Sequence, residues 1–146
     1  MSAPGSAPDG VDAVRVIVGG EDTDGHLGLV EETLSPGFDG PPLHVHPAFD
    51  ELFFVLEGEL TFQVRDELKT VSTGQWLLAP RGVPHTFANH SAQPARALIA
   101  VTPAGFERYF RLVSAQLTGT EPPADAFGPR PATEHVGPPI AREHRA

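Results

Sequence analysis

Short β-prone runs follow one another along most of the chain, each ended by Gly, Pro, Asn or Asp. Between residues 11 and 103 we identify nine of them: VDAVRVIV, HLGLVEETL, LHVH, ELFFVL, LTFQVRD, KTVS, QWLLAP, HTFANH and ARALIAVTP. Runs this short and evenly spaced, without helical patterns between them, predict an all-β sandwich or jelly roll. A chain of 146 residues has room for one such domain with a sizeable core and not for two.

The run ELFFVL, residues 51–56, is apolar on both of its faces. Because successive strand side chains point to opposite faces, Phe53 and Val55 share the face of Glu51. The opposite face is filled by Leu52, Phe54 and Leu56. We therefore expect this strand to be covered on both sides, with the C-terminal helix or a second subunit lying on its outer face.

Composition divides the chain into three segments. Residues 1–10 are almost entirely Ser, Ala, Pro and Gly, which predicts a flexible N-terminal arm. Residues 11–118 would form the barrel and a helix, because AGFERYFRLVSAQL places Phe106, Phe110 and either Leu112 or Val113 on one helical face. The helix is expected to close one side of the barrel. Residues 119–146 contain six of the sixteen prolines, which predicts an extended tail.

Charge and composition exclude several classes of function. The net charge is -9 and the ten Lys and Arg residues are scattered singly, so neither nucleic acid nor an anionic membrane surface is an expected partner. The N-terminus lacks the pattern of a signal peptide and no apolar stretch is long enough to span a membrane, which favours a cytoplasmic location. Without cysteine, any metal must be bound through nitrogen and oxygen.

Two motifs contain the residues with the clearest chemical meaning. The first, within residues 40–58, includes HVHPAFDELFFVLEG and spaces His, one residue, His, four residues, Glu, six residues and Gly. The second, GQWLLAPRGVPHTFAN, covers residues 74–89 and spaces Gly, Pro, Gly, His and Asn. Because strand residues two apart share a face, His44 and His46 would reach the same point. The spacing of both motifs resembles the signature of the cupin superfamily.

The resemblance implies a single-domain cupin jelly-roll barrel with one bound divalent metal. Its ligands would be His44, His46, Glu51 and His85, and the carboxylate of Glu51 would also act as the catalytic base. Asp50 is the competing carboxylate, and we prefer Glu51 for its family spacing and longer reach. Fe, Mn, Ni, Co, Cu or Zn would suit this ligand set.

The remaining polar residues of interest are given ordinary roles. Asn89 and Gly82 are interpreted as hydrogen-bonding and turn residues. Four histidines outside the motifs are interpreted as ordinary hydrogen-bonded or surface residues and not as metal ligands, namely His26, His90, His135 and His144. The GPP sequence at 137–139 resembles a segment that docks on the barrel in several small cupins, so part of the tail is expected to dock.

The hypotheses for function share the metal site. Phe53, Phe62 and Phe87, with Trp76, are candidates for an aromatic pocket that would suit a small aromatic or enolic substrate. The first hypothesis is a dioxygenase resembling the small cupin oxygenases. The second is a Zn-dependent cyclase or isomerase resembling those of aromatic polyketides, and the third is a non-catalytic ligand-binding or regulatory barrel. Small cupins commonly pair through their sheets, so the resemblance also implies a homodimer.

Overall fold

Two antiparallel β-sheets and one helix make up the computed structural model, which describes residues 7–127 and 131–142. The strands are β1 (Val11–Val18), β2 (Gly28–Leu34), β3 (His44–Val45), β4 (Asp50–Glu57), β5 (Glu59–Val64), β6 (Glu67–Ser72), β7 (Trp76–Ala79), β8 (His85–Ala88), β9 (Ala95–Thr102) and β10 (Glu134–His135). The helix α1 covers Glu107–Thr118, and short 3-10 turns lie at Gly20–Asp22 and Ala124–Phe127. Each of the nine predicted runs overlaps one of the strands β1 to β9.

Each sheet has five strands. One has the order β1-β2-β9-β4-β7 and the other the order β10-β3-β8-β5-β6. In β2, β4 and β9 buried residues alternate with more exposed ones, so one face of this sheet lines the interior. This arrangement confirms the predicted all-β jelly roll with a short C-terminal helix.

Aromatic side chains fill the centre of the interior. Phe53 has its ring centroid 4.9 Å from that of Phe62 and 5.1 Å from that of Phe87. All three side chains are buried. Fully burying a Phe side chain is worth about 1.5–3 kcal/mol. These rings are therefore part of the hydrophobic core that holds the two sheets together.

Helix α1 packs against β1, the edge strand of the first sheet, and its Phe110 and Val113 side chains are buried. Of the two alternatives for the helical face, Val113 is therefore the buried one, whereas Leu112 is half-buried. The helix ends at Gly119, whose φ of 67° is a left-handed conformation that glycine adopts without strain. It begins at Glu107, which is also buried. Contact between α1 and the core cluster confirms that this segment is an amphipathic helix on one side of the barrel.

The outer face of β4 is not covered by that helix, contrary to one of the two expectations. Leu52 and Phe54 of β4 are each 37% exposed, opposite Leu78 and Trp76 of β7 in the strand register. Trp76 is 61% exposed and lies on this outer face, so its predicted place in an interior pocket is wrong. An apolar outer patch thus remains, formed by Leu52, Phe54, Trp76 and Leu78.

The C-terminal segment 131–142 docks along β3, as expected for the GPP sequence, and it also contains a strand that the proline content did not predict. β10 pairs with β3, and the amide of Val136 donates a 2.8 Å hydrogen bond to the carbonyl of Leu43. Ile140 is buried, and Arg142 forms a 2.6 Å ion pair with Asp39. The segment therefore extends the sheet that carries the first histidine motif.

The predicted segment boundaries remain predictions. Most of the proposed arm lies outside the described residues, and Ala7 packs against the core. Residues 128–130 and 143–146 of the predicted tail also lie outside the described residues. Within the described part of the chain, no helix is both long and apolar enough to cross a membrane.

Candidate metal centre

Three neighbouring parts of the fold bring four predicted ligands together. His44 lies in β3 opposite His85 of β8, His46 follows β3, and Glu51 lies on the inner face of β4. One donor atom from each residue lies within 4.8 Å of the other three. All four residues are buried, with exposed fractions between 1% and 6%. The cluster therefore lies inside the barrel, near the end of the interior where β3 and β8 meet.

Backbone carbonyls orient two of the imidazole rings. His44 Nδ1 lies 2.8 Å from the carbonyl oxygen of Pro42, and His85 Nδ1 lies 3.0 Å from that of Val83. A carbonyl oxygen only accepts hydrogen bonds, so in each pair Nδ1 must donate its proton. In the neutral ring the lone pair then lies on Nε2, which is the atom a metal would bind.

The third ring, His46, is held differently. It lies beside a stacked pair of aromatic rings, with centroid distances of 4.4 Å to Phe49 and 4.8 Å to Phe106, and its Nδ1 lies 3.0 Å from Thr133 Oγ1. Its Nε2 is buried 3.4 Å from Glu51 Oε1 and has no hydrogen-bond partner among the described residues. A buried ring nitrogen without a hydrogen-bond partner is what we expect of an atom that coordinates a metal.

Charge inside the cluster is divided unequally. Burial favours a raised pKa for Glu51, but its contacts with His46 and His85 outweigh that effect and lower the pKa to about 2. Burial, assisted by the charge of His85, lowers the pKa of His44 to about 4. For His85, burial acts to lower the pKa, but the 3.1 Å contact with Glu51 outweighs it and the pKa is raised. At neutral pH the cluster therefore offers an ionised carboxylate and a neutral His44.

The donor set fits a divalent first-row metal. Imidazole nitrogen and carboxylate oxygen suit Fe, Mn, Co, Ni, Cu and Zn, and three of the four donors here are imidazoles. In the metal-free cluster a proton between His85 and Glu51 would occupy part of the space that an ion needs. Metal binding would then release that proton.

Asp50 is turned away from the cluster. It is partly exposed and accepts hydrogen bonds from the backbone amide of Arg81, at 2.9 Å, and from its guanidinium, at 3.2 Å. The guanidinium of Arg81 lowers the pKa of the Asp50 carboxyl. The alternation of strand residues therefore points Glu51, and not its neighbour, into the barrel.

Sequence reasoning missed a second interior carboxyl group, Glu32. This residue shares the inner face of β2 with Val30 and Leu34, is 4% exposed, and has an Oε1 atom without a hydrogen-bond partner among the described residues. Burial, followed by the negative charge of Glu51, raises its pKa to about 8. The alternation of apolar residues around Glu32 was a signal in the sequence that could have identified it.

The other histidines stay outside the cluster. His26 and His135 are exposed, and His90 is buried 3.3 Å from Asp39. His144 lies outside the described residues. Asn89 is fully buried, and its side chain donates hydrogen bonds to the carbonyls of Leu34, at 3.1 Å, and Gln93, at 2.9 Å. This confirms its predicted role as a hydrogen-bonding residue.

Comparison with known proteins agrees with this fold. A family model described as "Cupin domain" matches residues 30–101, which contain both histidine motifs from His44 onwards. "Germin-like protein subfamily 2 member 2" of Arabidopsis thaliana is 35% identical over 79 residues, covering 51% of this chain and 36% of the relative. The matched part of the chain thus spans little more than a third of that relative's length.

Two solved structures share the architecture. The protein TT1209 from Thermus thermophilus superimposes with a TM-score of 0.57 and 27% identity, covering 69% of this chain and 90% of that one. A predicted oxalate decarboxylase from Thermotoga maritima superimposes with a TM-score of 0.58 and 18% identity, covering 62% and 78% of the two chains. Given the family match over residues 30–101, and with His44, His46, Glu51 and His85 of the two motifs close together in the barrel, the chain belongs to the cupin superfamily as one of its small members.

Proposed function

We propose that this protein is a metal-dependent enzyme, and specifically a dioxygenase that acts on a small aromatic or enolic substrate. The observation that supports a metal enzyme is the buried cluster of His44, His46, Glu51 and His85, in which the donor atoms already lie close together. Three imidazoles and one carboxylate leave about two positions open on a six-coordinate ion, whereas a structural zinc has four protein ligands in a closed tetrahedron.

In this proposal the residues of the cluster have separate tasks. The imidazoles bind through Nε2, with two of the three Nδ1 atoms fixed by backbone carbonyls. Glu51 is ionised at neutral pH, but a pKa of about 2 makes it a weak base, so it would accept the proton of a substrate enol or phenol only where a bound metal has made that proton more acidic. A divalent metal bound here would supply Lewis acidity and a place where substrate and dioxygen meet.

Aromatic side chains beside the cluster favour an apolar substrate. The rings of Phe49 and Phe106 are stacked with centroids 5.0 Å apart, and both rings contact His46. Phe49 is fully buried and helps to exclude water, while the half-buried ring of Phe106 offers flat apolar surface, which suits an aromatic ring better than a sugar phosphate. These two residues replace Trp76 as the aromatic candidates beside the metal.

The experiment begins with protein purified without chelator and analysed for metal content per chain. Fe²⁺, Mn²⁺, Ni²⁺ and Zn²⁺ forms would then be offered aromatic enols while oxygen uptake is recorded. We expect turnover that consumes oxygen and is lost in His85→Ala, whereas His26→Ala, which changes an exposed histidine outside the cluster, should behave like the wild type. Turnover without oxygen, or equal turnover by His85→Ala, would contradict the dioxygenase proposal.

A metal-dependent cyclase or isomerase is the second candidate, and Glu32 favours it. The pKa of Glu32 is raised to about 8 and that of Glu51 is lowered to about 2, so near neutral pH one buried carboxyl group holds a proton and the other accepts one. Opposed pKa values of this kind suit proton transfer between two substrate positions. Oxygen-independent turnover that Glu32→Gln abolishes would support it, while ligand binding without any turnover would indicate a binding barrel.

A further inference from the structure

One imidazole of the metal cluster is oriented by a residue from the far end of the chain. His44 and His85 each donate from Nδ1 to a carbonyl only two residues earlier, so local backbone geometry fixes these rings. Thr133, which bonds His46 Nδ1, lies 87 residues after it. The orientation of His46 therefore depends on the docking of the C-terminal segment 131–142.

We propose that segment 131–142 is a working part of the metal site and that Thr133 is a positioning residue for His46. The Thr133 hydroxyl oxygen would accept a hydrogen bond from His46 Nδ1, which leaves the lone pair of the buried Nε2 available to a metal ion bound beside Glu51. The inference rests on the proposed metal site, because its effect is to hold His46 ready for an ion.

Several contacts hold the segment in place independently of Thr133. Backbone hydrogen bonds join Leu43 to Val136 at 2.8 Å and to Pro138 at 3.2 Å. Ile140 is 4% exposed, and Arg142 pairs with Asp39 at 2.6 Å. Leu43 directly precedes His44, so the docking site lies immediately before the strand that carries the first ligand. Docking of the segment and order in the first metal motif are therefore linked.

The hydroxyl group differs from a carbonyl in a way that matters here. A carbonyl can only accept, so it permits one tautomer of the histidine bonded to it, whereas a threonine hydroxyl can also donate. His46 is buried beside the stacked rings of Phe49 and Phe106, and the Thr133 hydroxyl is the observed partner of its Nδ1. Removing that hydroxyl would leave Nδ1 without its observed partner, so the ring would no longer be held with Nε2 directed into the cluster.

Loss of a hydrogen bond to the non-coordinating nitrogen of a histidine ligand lowers metal affinity about 10–100-fold. Because Thr133 is exposed and water can replace its hydroxyl in part, we expect the lower end, about tenfold. The test measures the dissociation constant of Zn²⁺ by competition with a chromophoric chelator. Thr133→Val should weaken binding, Thr133→Ser should restore it because the hydroxyl returns, and Thr70→Val, the same change at an exposed residue of β6, should leave it unchanged.

A second measurement needs no metal. Nitrogen-15 chemical shifts of the histidine rings report which nitrogen carries the proton, and in the wild type we expect one dominant tautomer for His46. In Thr133→Val the two tautomers should mix. Val136→Pro removes the amide that donates to Leu43 without touching Thr133, so it should produce the same mixing if docking of the segment matters. Thermal unfolding would verify that each variant is folded.

The outcomes separate this inference from the proposed function. If wild-type protein binds Zn²⁺ and Thr133→Val binds it equally tightly, the role proposed for Thr133 is wrong. The metal site itself would still stand. Wild-type protein that binds none of the tested metals would overturn the metal site and this inference with it. Weaker binding by Thr133→Val and by Val136→Pro, with mixed tautomers in both, would support the inference.

Discussion

Glu32 and Glu51 are two interior carboxyl groups with opposite behaviour. Both are 4% exposed, yet the pKa of Glu32 is raised to about 8 whereas that of Glu51 is lowered to about 2. The difference comes from their partners, because Glu51 contacts two imidazoles and Glu32 Oε1 has no hydrogen-bond partner among the described residues. A buried charge without a partner is costly, so Glu32 stays protonated in the folded protein near neutral pH.

This difference predicts a dependence of stability on pH. Below about 4.5 Glu32 is protonated whether the chain is folded or unfolded. As pH rises from about 4.5 to about 8, only the unfolded chain loses the proton, so the contribution of Glu32 to stability falls by a few kcal/mol. Glu32→Gln removes the titrating group. The melting temperature of Glu32→Gln minus that of wild type should therefore be larger at pH 8.5 than at pH 5.

The measurement is thermal unfolding of metal-free protein across this pH range. Glu67→Gln provides the matched control, since Glu67 is an exposed strand residue in solvent before and after unfolding. An equal difference between wild type and Glu32→Gln at both pH values would show that Glu32 is not held neutral by burial.

Among the structural elements, helix α1 is anchored by one side chain at its first turn. Glu107 is 2% exposed and accepts hydrogen bonds from the backbone amides of Gly20, at 2.8 Å, and Gly105, at 2.6 Å. A Cβ at Gly28 would lie 2.6 Å from the same carboxylate, which explains why a glycine begins β2. One carboxylate therefore ties the helix, the loop after β1 and the start of β2 together.

Replacing Glu107 by Ala should be strongly destabilising. The change leaves two backbone donors without their acceptor, and hydrogen bonds to a charged group are worth about 1.5–3 kcal/mol each. We expect the free energy of unfolding in urea to fall by about 3 kcal/mol, with a smaller loss in Glu107→Gln, which keeps an acceptor oxygen. The exposed Glu121→Ala is the control. A loss below about 1 kcal/mol would mean that water replaces the carboxylate.

The local elements of the site could be predicted from sequence, whereas its long-range parts could not. His44 and His46 share a face because of strand geometry, and their motif spacing identified Glu51. Thr133 could not be identified in this way, because its contact with His46 depends on the pairing of β10 with β3. For Trp76 the sequence was ambiguous, since WLLA is apolar at every position and alternation cannot assign its faces.

At the scale of the whole molecule, the outer patch of Leu52, Phe54, Trp76 and Leu78 is the feature that still needs an explanation. Its members face each other in pairs across β4 and β7, next to the edge of the sheet. Helix α1 covers the opposite edge, at β1, and segment 131–142 extends the other sheet. Neither of these described elements covers the patch, which favours a second copy of the chain as its partner.

We therefore expect the protein to form a homodimer through this patch, with twice the chain mass in light scattering. Trp76→Glu would place a carboxylate in the apolar contact, where its desolvation opposes association, so this variant should be monomeric at the same concentration. Leu68→Glu is the matched control, because Leu68 is 41% exposed on the other sheet. It should remain dimeric. A monomeric wild type at all concentrations, or a dimer that persists in Trp76→Glu, would mean that the patch does not join two copies.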